Sequence, residues 1–400
     1  MSVTINKRIS REKEVFLSVC LLAGEVSSET IRRMKRDFGE SRIKNNVIQS
    51  LSKSGYITKV GYKSNYGYQL TDNGLEYLKI KFPKKYDYSM YAKSHAYIYK
   101  QTIRERARQL SMVLYTMTKQ GVSIENNNDI VSNILNGYEV HVERPFFITT
   151  KALRELNVRF TSLYGARIFG YIISSQKIVA IYAPDKEHHL SLKQEEAMTT
   201  ALLNVLKYSC APYNNQRNYE ILYMFSNHGD VVDSFIVGDK INNRLPITKR
   251  VYEKYIYKQS YIFFMDDNPY TLKQILDNKY IESINNVFKN TYGLTEFEVS
   301  SLSSINIHGY YNNDGIDIPT AICWTFSPSV ILGLVQYCKQ ELAKDEKVMI
   351  LCFVEQLSMI KDVLKINKKI SGHILAAELP CGQVHKLING EISNLMEEAE

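Results

Sequence analysis

The chain has 400 residues, 44% of them apolar, and carries 50 Lys+Arg against 42 Asp+Glu, a formal charge of +8. That is enough chain for two or three domains with cores of their own, and it argues against global disorder. The longest apolar runs, such as Val348–Val354, fall far short of the roughly 20 residues that span a bilayer, and "MSVTINKRIS" lacks a signal-peptide core, so a cytoplasmic protein without membrane contact is expected.

The charge is uneven. Residues 1–110 hold 22 Lys+Arg and 10 Asp+Glu, a balance of +12, whereas the remaining 290 hold 28 and 32, a balance of −4. Such asymmetry is the footprint expected of a nucleic-acid-binding module joined to an ordinary globular body; a membrane-surface patch, the competing explanation, would want an amphipathic helix with large apolar residues facing Lys and Arg.

From Ser10, "SREKEVFLSVCLLAG" places Val15, Phe16, Val19 and Leu22 at helical period, and Gly24 can end the helix. A second helix follows, capped by Ser27 or Ser28, with Ile31, Met34 and Phe38 as its buried edge and Gly39 as its stop. Arg32, Arg33, Lys35 and Arg36 crowd its other side. In "SRIKNNVIQSLSKSGYI", Ser41 is the candidate N-cap of a third helix. Ile43, Val47, Ile48 and Leu51 form its apolar edge and leave Arg42, Lys44, Asn45, Asn46, Gln49 and Lys53 outside. "SGYITKVGYKSNYGYQLTDNG" then predicts a strand, a turn with Asn65 and Gly67 as its positive-φ residues, and a returning strand.

Three helices and then a hairpin, with "LSKSGYI" leading into the first strand and "YQLTDNG" closing the second, resembles winged helix-turn-helix DNA-binding domains over residues 10 to about 82. The resemblance implies that the third helix enters the major groove of double-stranded DNA, where Arg reads guanine and Asn or Gln reads adenine. Ser41, Arg42, Lys44, Asn45, Asn46, Gln49 and Lys53 would face it. Arg32 and Arg33 of the second helix, with Lys59, Lys63 and Tyr66 of the wing, would meet phosphates or the minor groove. A winged helix used for protein contacts is the competing reading.

After Pro83 a tyrosine-rich joint leads into a long helix, about Ser89 to Gln120. Its Ile98, Ile103, Leu110, Val113 and Leu114 could form a homodimer seam or pack back onto the chain itself. Beyond "SIENNND", "ARIFGYIISSQKIVAIYAP" reads as two strands, "LSLKQEEAMTTALLNVLKYS" as a helix and "YEILYMFS" as a strand. Later, "TAICWTFS", "PSVILGLVQYCKQELAKDE", "VMILCFV", "EQLSMIKDVLK" and "GHILAAELP" alternate strand and helix, which argues for a mixed sheet flanked by helices. Residues 212–320 give no clear pattern. The expected class is therefore α+β: a winged helix-turn-helix at 1–85, a linking helix at 86–125, and an α/β body at 126–400, divisible at 126–280 and 281–400.

Chemistry-bearing motifs are absent from the body. There is no GxxxxGK[ST], GxGxxG or GxSxG, and no His-hydrophobic-His pair of the relaxase type. Cys20, Cys210, Cys323, Cys338, Cys352 and Cys381 are scattered, without the short spacings of a zinc site, and read as reduced buried thiols. His188–His189 reads as loop, and Glu195 and Glu196 as a solvated helix face. No catalytic residue, metal or cofactor is expected.

The layout and short stretches such as "RPFFITTKALREL", "ARIFGYI", "SYIFFMDD" and "VMILCFVEQ" resemble the replication-relaxation family of plasmids and conjugative elements in Gram-positive bacteria. The resemblance implies a non-catalytic, sequence-specific DNA-binding protein acting in replication, transfer or their regulation, with other mobile-element proteins as partners. Bodies of that kind can resemble a restriction-endonuclease core. Here the corresponding strand, "KIVAIYA", lacks the carboxylates that a divalent cation needs. A ligand-responsive transcription regulator, or a nuclease or relaxase with an atypical site, are the alternatives.

Overall fold

Capping residues set the first helices. The computed structural model describes residues 9–62, 65–91, 101–124, 142–150, 168–183, 220–231, 260–295, 307–340, 346–365 and 372–397. Helix α1 (Arg11–Ala23) ends at Gly24, whose φ of 88° suits glycine. Strand β1 (Val26–Ser27) follows. Helix α2 (Ser28–Phe38) begins where the Ser27 hydroxyl accepts the Thr30 N–H at 3.1 Å, and stops at Gly39. The two-residue β1 has no signature in the sequence, since its pairing partner lies about forty residues on.

Helix α3 is wound in two pieces, Arg42–Gln49 wider than an α-helix and Ser50–Lys53 in regular α geometry. Ile43, Val47 and Leu51 are buried and Ile48 half-buried, so the apolar edge follows every fourth residue. Ser41, expected as the N-cap, is itself helical and makes no capping bond with its side chain.

Strands β2 (Ile57–Val60) and β3 (Gly67–Leu70) pair antiparallel from Ile57↔Leu70 to Val60↔Gly67. β1 joins the far side of β3, giving the order β1-β3-β2. Positive φ in this hairpin belongs to Gly61, at 79°, and not to Asn65 or Gly67. Gly67 is required for another reason. A Cβ there would lie 2.2 Å from the Glu25 carboxylate, which crosses the strand at that point.

"LTDNG" closes the hairpin through three contacts. Leu70 is buried. Thr71 accepts the Gly74 N–H at 3.1 Å, capping α4 (Asp72–Lys81), and donates its hydroxyl to Gly55 O at 2.5 Å. A Cβ on Gly74 would stand 2.1 Å from the Tyr56 carbonyl oxygen. Gly74→Ala is therefore expected to destabilise this region by about 1–3 kcal/mol, because backbone must move. Hydrogen exchange at Tyr56 and Thr71 would report it, and unchanged protection would refute the close contact.

Helices α5 (Pro83–Tyr91) and α6 (Gln101–Lys119) come next. Leu110, Val113 and Leu114 of α6 are 5%, 0% and 0% exposed, packed against α1, α2 and β1 of the same chain. The residues expected as a possible dimer seam are thus covered from within the chain, while Ile103 is exposed. The chain divides into two units, and α6 belongs to the first, which continues to Ala183. That unit also holds the antiparallel strands β4 (Phe146–Thr149), β5 (Gly170–Ile173) and β6 (Ile178–Tyr182). Arg106 of α6 reaches this part of the unit, donating to Ile168 O at 2.8 Å.

The second unit pairs β7 (Glu220–Phe225) and β8 (Ser260–Phe264) in parallel. After α7 (Leu272–Leu276) and α8 (Asn278–Thr291) comes a four-stranded sheet of order β12-β11-β10-β9. Here β9 (Gly309–Asn313) is antiparallel to β10 (Ile316–Ile322). β10, β11 (Val348–Phe353) and β12 (Ile374–Leu379) run parallel. Their crossovers are α9 (Pro328–Gln340) and α10 (Leu357–Lys365), and α11 (Cys381–Glu397) ends the described chain. The late β-α-β-α-β alternation expected from the sequence is present, and the protein is α+β with mixed sheets.

Cys20, Cys323, Cys338, Cys352 and Cys381 are free and buried, and burial pushes the Cys20 thiol up to about 12. Lys63, Ile98, His188, His189, Glu195, Glu196 and Cys210 lie outside the described residues. Among the described residues no helix is long and apolar enough to cross a membrane.

Candidate nucleic-acid interface

Between Glu40 and Asp72 the sequence contains no acidic residue but holds Arg42, Lys44, Lys53, Lys59 and Lys63. The fold gathers the described members of this run on α3 and β2. Because only Ile43, Val47 and Leu51 turn fully inward, a broad arc of α3 stays in solvent. Lys44, Asn46, Gln49 and Lys53 are exposed and have no side-chain partner among the described residues. Asn45 donates to the Ser41 hydroxyl at 3.2 Å, which ties two of the expected contacts to each other.

Arg42 is 68% exposed and lies 3.5 Å from Glu12 of α1. An exposed pair of this kind is worth at most about 1 kcal/mol, so a phosphate or guanine can take over the guanidinium. Lys13 of α1 donates to the Ser50 hydroxyl at 2.9 Å and ties α1 to α3.

The second helix divides the two arginines expected to face outward. Arg32 is 75% exposed and bonds Glu29 at 2.7 Å. Arg33 is only 2% exposed, with Nε 3.3 Å from the same carboxylate. Its assignment to the outer face is corrected: Arg33 is buried, because α2 is clamped against α6 on that side. On the hairpin, Lys59 is exposed and its ammonium stands 4.6 Å above the Tyr66 ring. Tyr66 is half-buried and held by its carbonyl, which accepts the Ser28 N–H at 3.0 Å. Tyr66 therefore supports Lys59 more than it reaches outward.

A buried polar system holds this surface in place, and the sequence does not reveal it. Glu25 is 0% exposed. Arg104 of α6 donates to it twice, each at 2.9 Å, Gln69 of β3 donates at 3.2 Å, and Arg108 Nε lies 4.0 Å away. The hydrogen bonds that Arg104 donates to Glu25 raise the Arg104 pKa, while burial lowers that of Arg108. Arg108 also donates to Asn65 of the β2–β3 turn at 2.8 Å and to Ser28 at 3.3 Å. Nearby, Ser27 and Thr30 hydroxyls are 2.8 Å apart, Thr30 and Ser111 also 2.8 Å, and Ser111 donates to Arg108 O at 2.7 Å. One direction of donation, Ser27 to Thr30 to Ser111 to Arg108 O, gives every hydroxyl proton an acceptor. These bonds join the hairpin, the start of α2 and α6 to one another.

Among the described residues no group of three His, Cys, Asp or Glu side chains could hold a metal ion. Comparison with protein-family models, with curated proteins and with solved structures found no match.

Proposed function

We propose that the first part of the chain is a winged helix-turn-helix that binds double-stranded DNA, with α3 in the major groove and the β2–β3 hairpin beside it as the wing. The observation carrying this reading is the exposed, acid-free face of α3 next to that hairpin, in a segment of charge +12. Arg42, Asn46 and Gln49 are the base-reading types, and Asn45 joins them on release from Ser41. Lys44, Lys53, Lys59 and Arg32 position the module on phosphates. The mobile-element setting, in replication, transfer or their regulation, is supported by the resemblance of the short body stretches to replication-relaxation proteins. The Leu110–Leu114 stripe lies inside the fold, so a homodimer on DNA would use another surface.

The test begins with selection of bound fragments from genomic and element DNA, followed by anisotropy titrations of the full chain. Arg42→Ala and Gln49→Ala are each expected to weaken the selected site by about 1–3 kcal/mol and to leave random duplex nearly unchanged. Lys59→Gln is expected to lower affinity for all duplexes and to reduce the slope of affinity against salt by about one. Absence of any shift with any duplex at low salt would sink the proposal.

A further inference from the structure

The second unit holds a half-open pocket of about 130 Å³ between the start of β8, helix α8 and the turn that carries β10 into α9. Its wall divides by chemistry. Trp324, Ile322 and Val330 form an apolar side, and Ser260, Asn285 and Ser327 bring polar groups. No Lys, Arg, Asp or Glu lines it.

Ser260 is 0% exposed, and its hydroxyl has no hydrogen-bond partner among the described residues. Buried hydroxyls are almost always paired, so this one points to an occupant that carries an acceptor. Asn285 agrees. Its Oδ1 already accepts the Trp324 indole N–H at 3.0 Å, which leaves the NH₂ end of the amide to donate. Ser327 immediately precedes α9, a helix of 13 residues, and accepts the Ile331 N–H at 3.1 Å through its carbonyl. The N–H groups of Ser329 and Val330 precede the first intrahelical bond and add the positive end of the helix dipole. His308, also in the wall, accepts the Ile322 N–H on Nδ1 at 3.0 Å, which places its ring proton on Nε2.

A hydroxyl, an amide and a helix N-terminus therefore border one pocket, with aromatic and aliphatic surface opposite. We propose that this cavity binds a small organic carboxylate. Its oxygens accept from Ser260, Asn285 and the start of α9, and its apolar body lies against Trp324 and Val330. Inorganic phosphate is disfavoured, because no Lys or Arg lines the wall and Trp324, Ile322 and Val330 make one side of it apolar. The volume is close to the ~150 Å³ that takes benzene in an engineered cavity, which sets the ligand at about six to eight non-hydrogen atoms. The proposal stands on the second unit alone and does not depend on DNA binding by the first.

Trp324 is the only tryptophan of the chain, so its emission reports the cavity directly. The full-length protein is titrated with isovalerate, and with the neutral isovaleramide at matched ionic strength. A saturable change in tryptophan emission is expected with the acid, at least tenfold tighter than with the amide. Ser260→Ala is expected to weaken the acid roughly 10–100-fold, the effect of one hydrogen bond to a charged group, with the melting curve unchanged. Val330→Phe, which fills the cavity, is expected to abolish the response while the circular dichroism stays native. Lack of a saturable change, equal affinity for acid and amide, or an undiminished response in both variants would each overturn the proposal.

Discussion

Glu25→Ala is expected to cost the first unit about 3–5 kcal/mol, the range for removing one partner of a buried ion pair. The carboxylate is wholly buried and takes both donors of the Arg104 fork as well as the Gln69 amide. Its loss leaves Arg104, at 17% exposure, without a counter-charge and opens a void beside Gly67. Glu25→Gln keeps the volume and one acceptor, so it is expected to fall between wild type and alanine. Replacing Glu25 and Arg104 together by methionine is expected to recover much of the loss, because two buried charges then disappear together. Hydrogen exchange of peptides from α1 through β3 gives the free energies. A loss below about 1 kcal/mol for Glu25→Ala would place the pair among screened surface contacts and refute its structural role.

The second large effect concerns where the folding unit ends. A fragment stopped after Lys85 is expected not to melt cooperatively, whereas one extended through Ile124 is expected to do so. The reason is α6. Leu110, Val113, Leu114 and Met117 are almost fully buried against α1, α2 and β1, and each large apolar side chain deleted from such a site costs about 2–5 kcal/mol. Losing all four exceeds the whole stability of a small domain. Removal of α6 also strips Glu25 of Arg104, Asn65 of Arg108 and Asp37 of Tyr115, the last a 2.8 Å bond. Thermal melts of the two fragments, followed by circular dichroism, decide the matter. Cooperative melting of the shorter one would show that α6 merely decorates the domain. The same result guides the binding assay, because a fragment ending at 85 tests DNA binding on an incomplete core.

Much of this molecule was legible without coordinates, wherever its determinants are local. The cap at Ser27, the stops Gly24 and Gly39, the apolar edge of Ile43, Val47, Ile48 and Leu51, and the two strands of the hairpin all depend on residues a few positions apart. The late strand-helix alternation is equally local, since an apolar run and its flanking breakers suffice to mark each element.

What failed depended on distant partners. Asn65 and Gly67 suggest a turn by their type. In the structure Asn65 is instead an acceptor for Arg108, and Gly67 makes room for Glu25, contacts that span more than forty residues each. Arg33 carries the same charge as Arg32, and only the position of α6 decides that one is buried and the other exposed. The apolar stripe of α6 leaves the choice between a second copy of the chain and the chain itself open in the sequence. Periodicity states that a face must be covered but not by what, and here α1, α2 and β1 of the same chain cover it. The cavity beside Trp324 joins residues from Ser260 to Val330 that share no motif. The sequence alone therefore determined the local elements and the charge of the α3 face, because periodicity, capping and net charge are properties of neighbouring residues. Tertiary packing decided which of those charges are buried, which helix completes the core and where a ligand-sized space remains, because each of these is set by residues far apart in the chain.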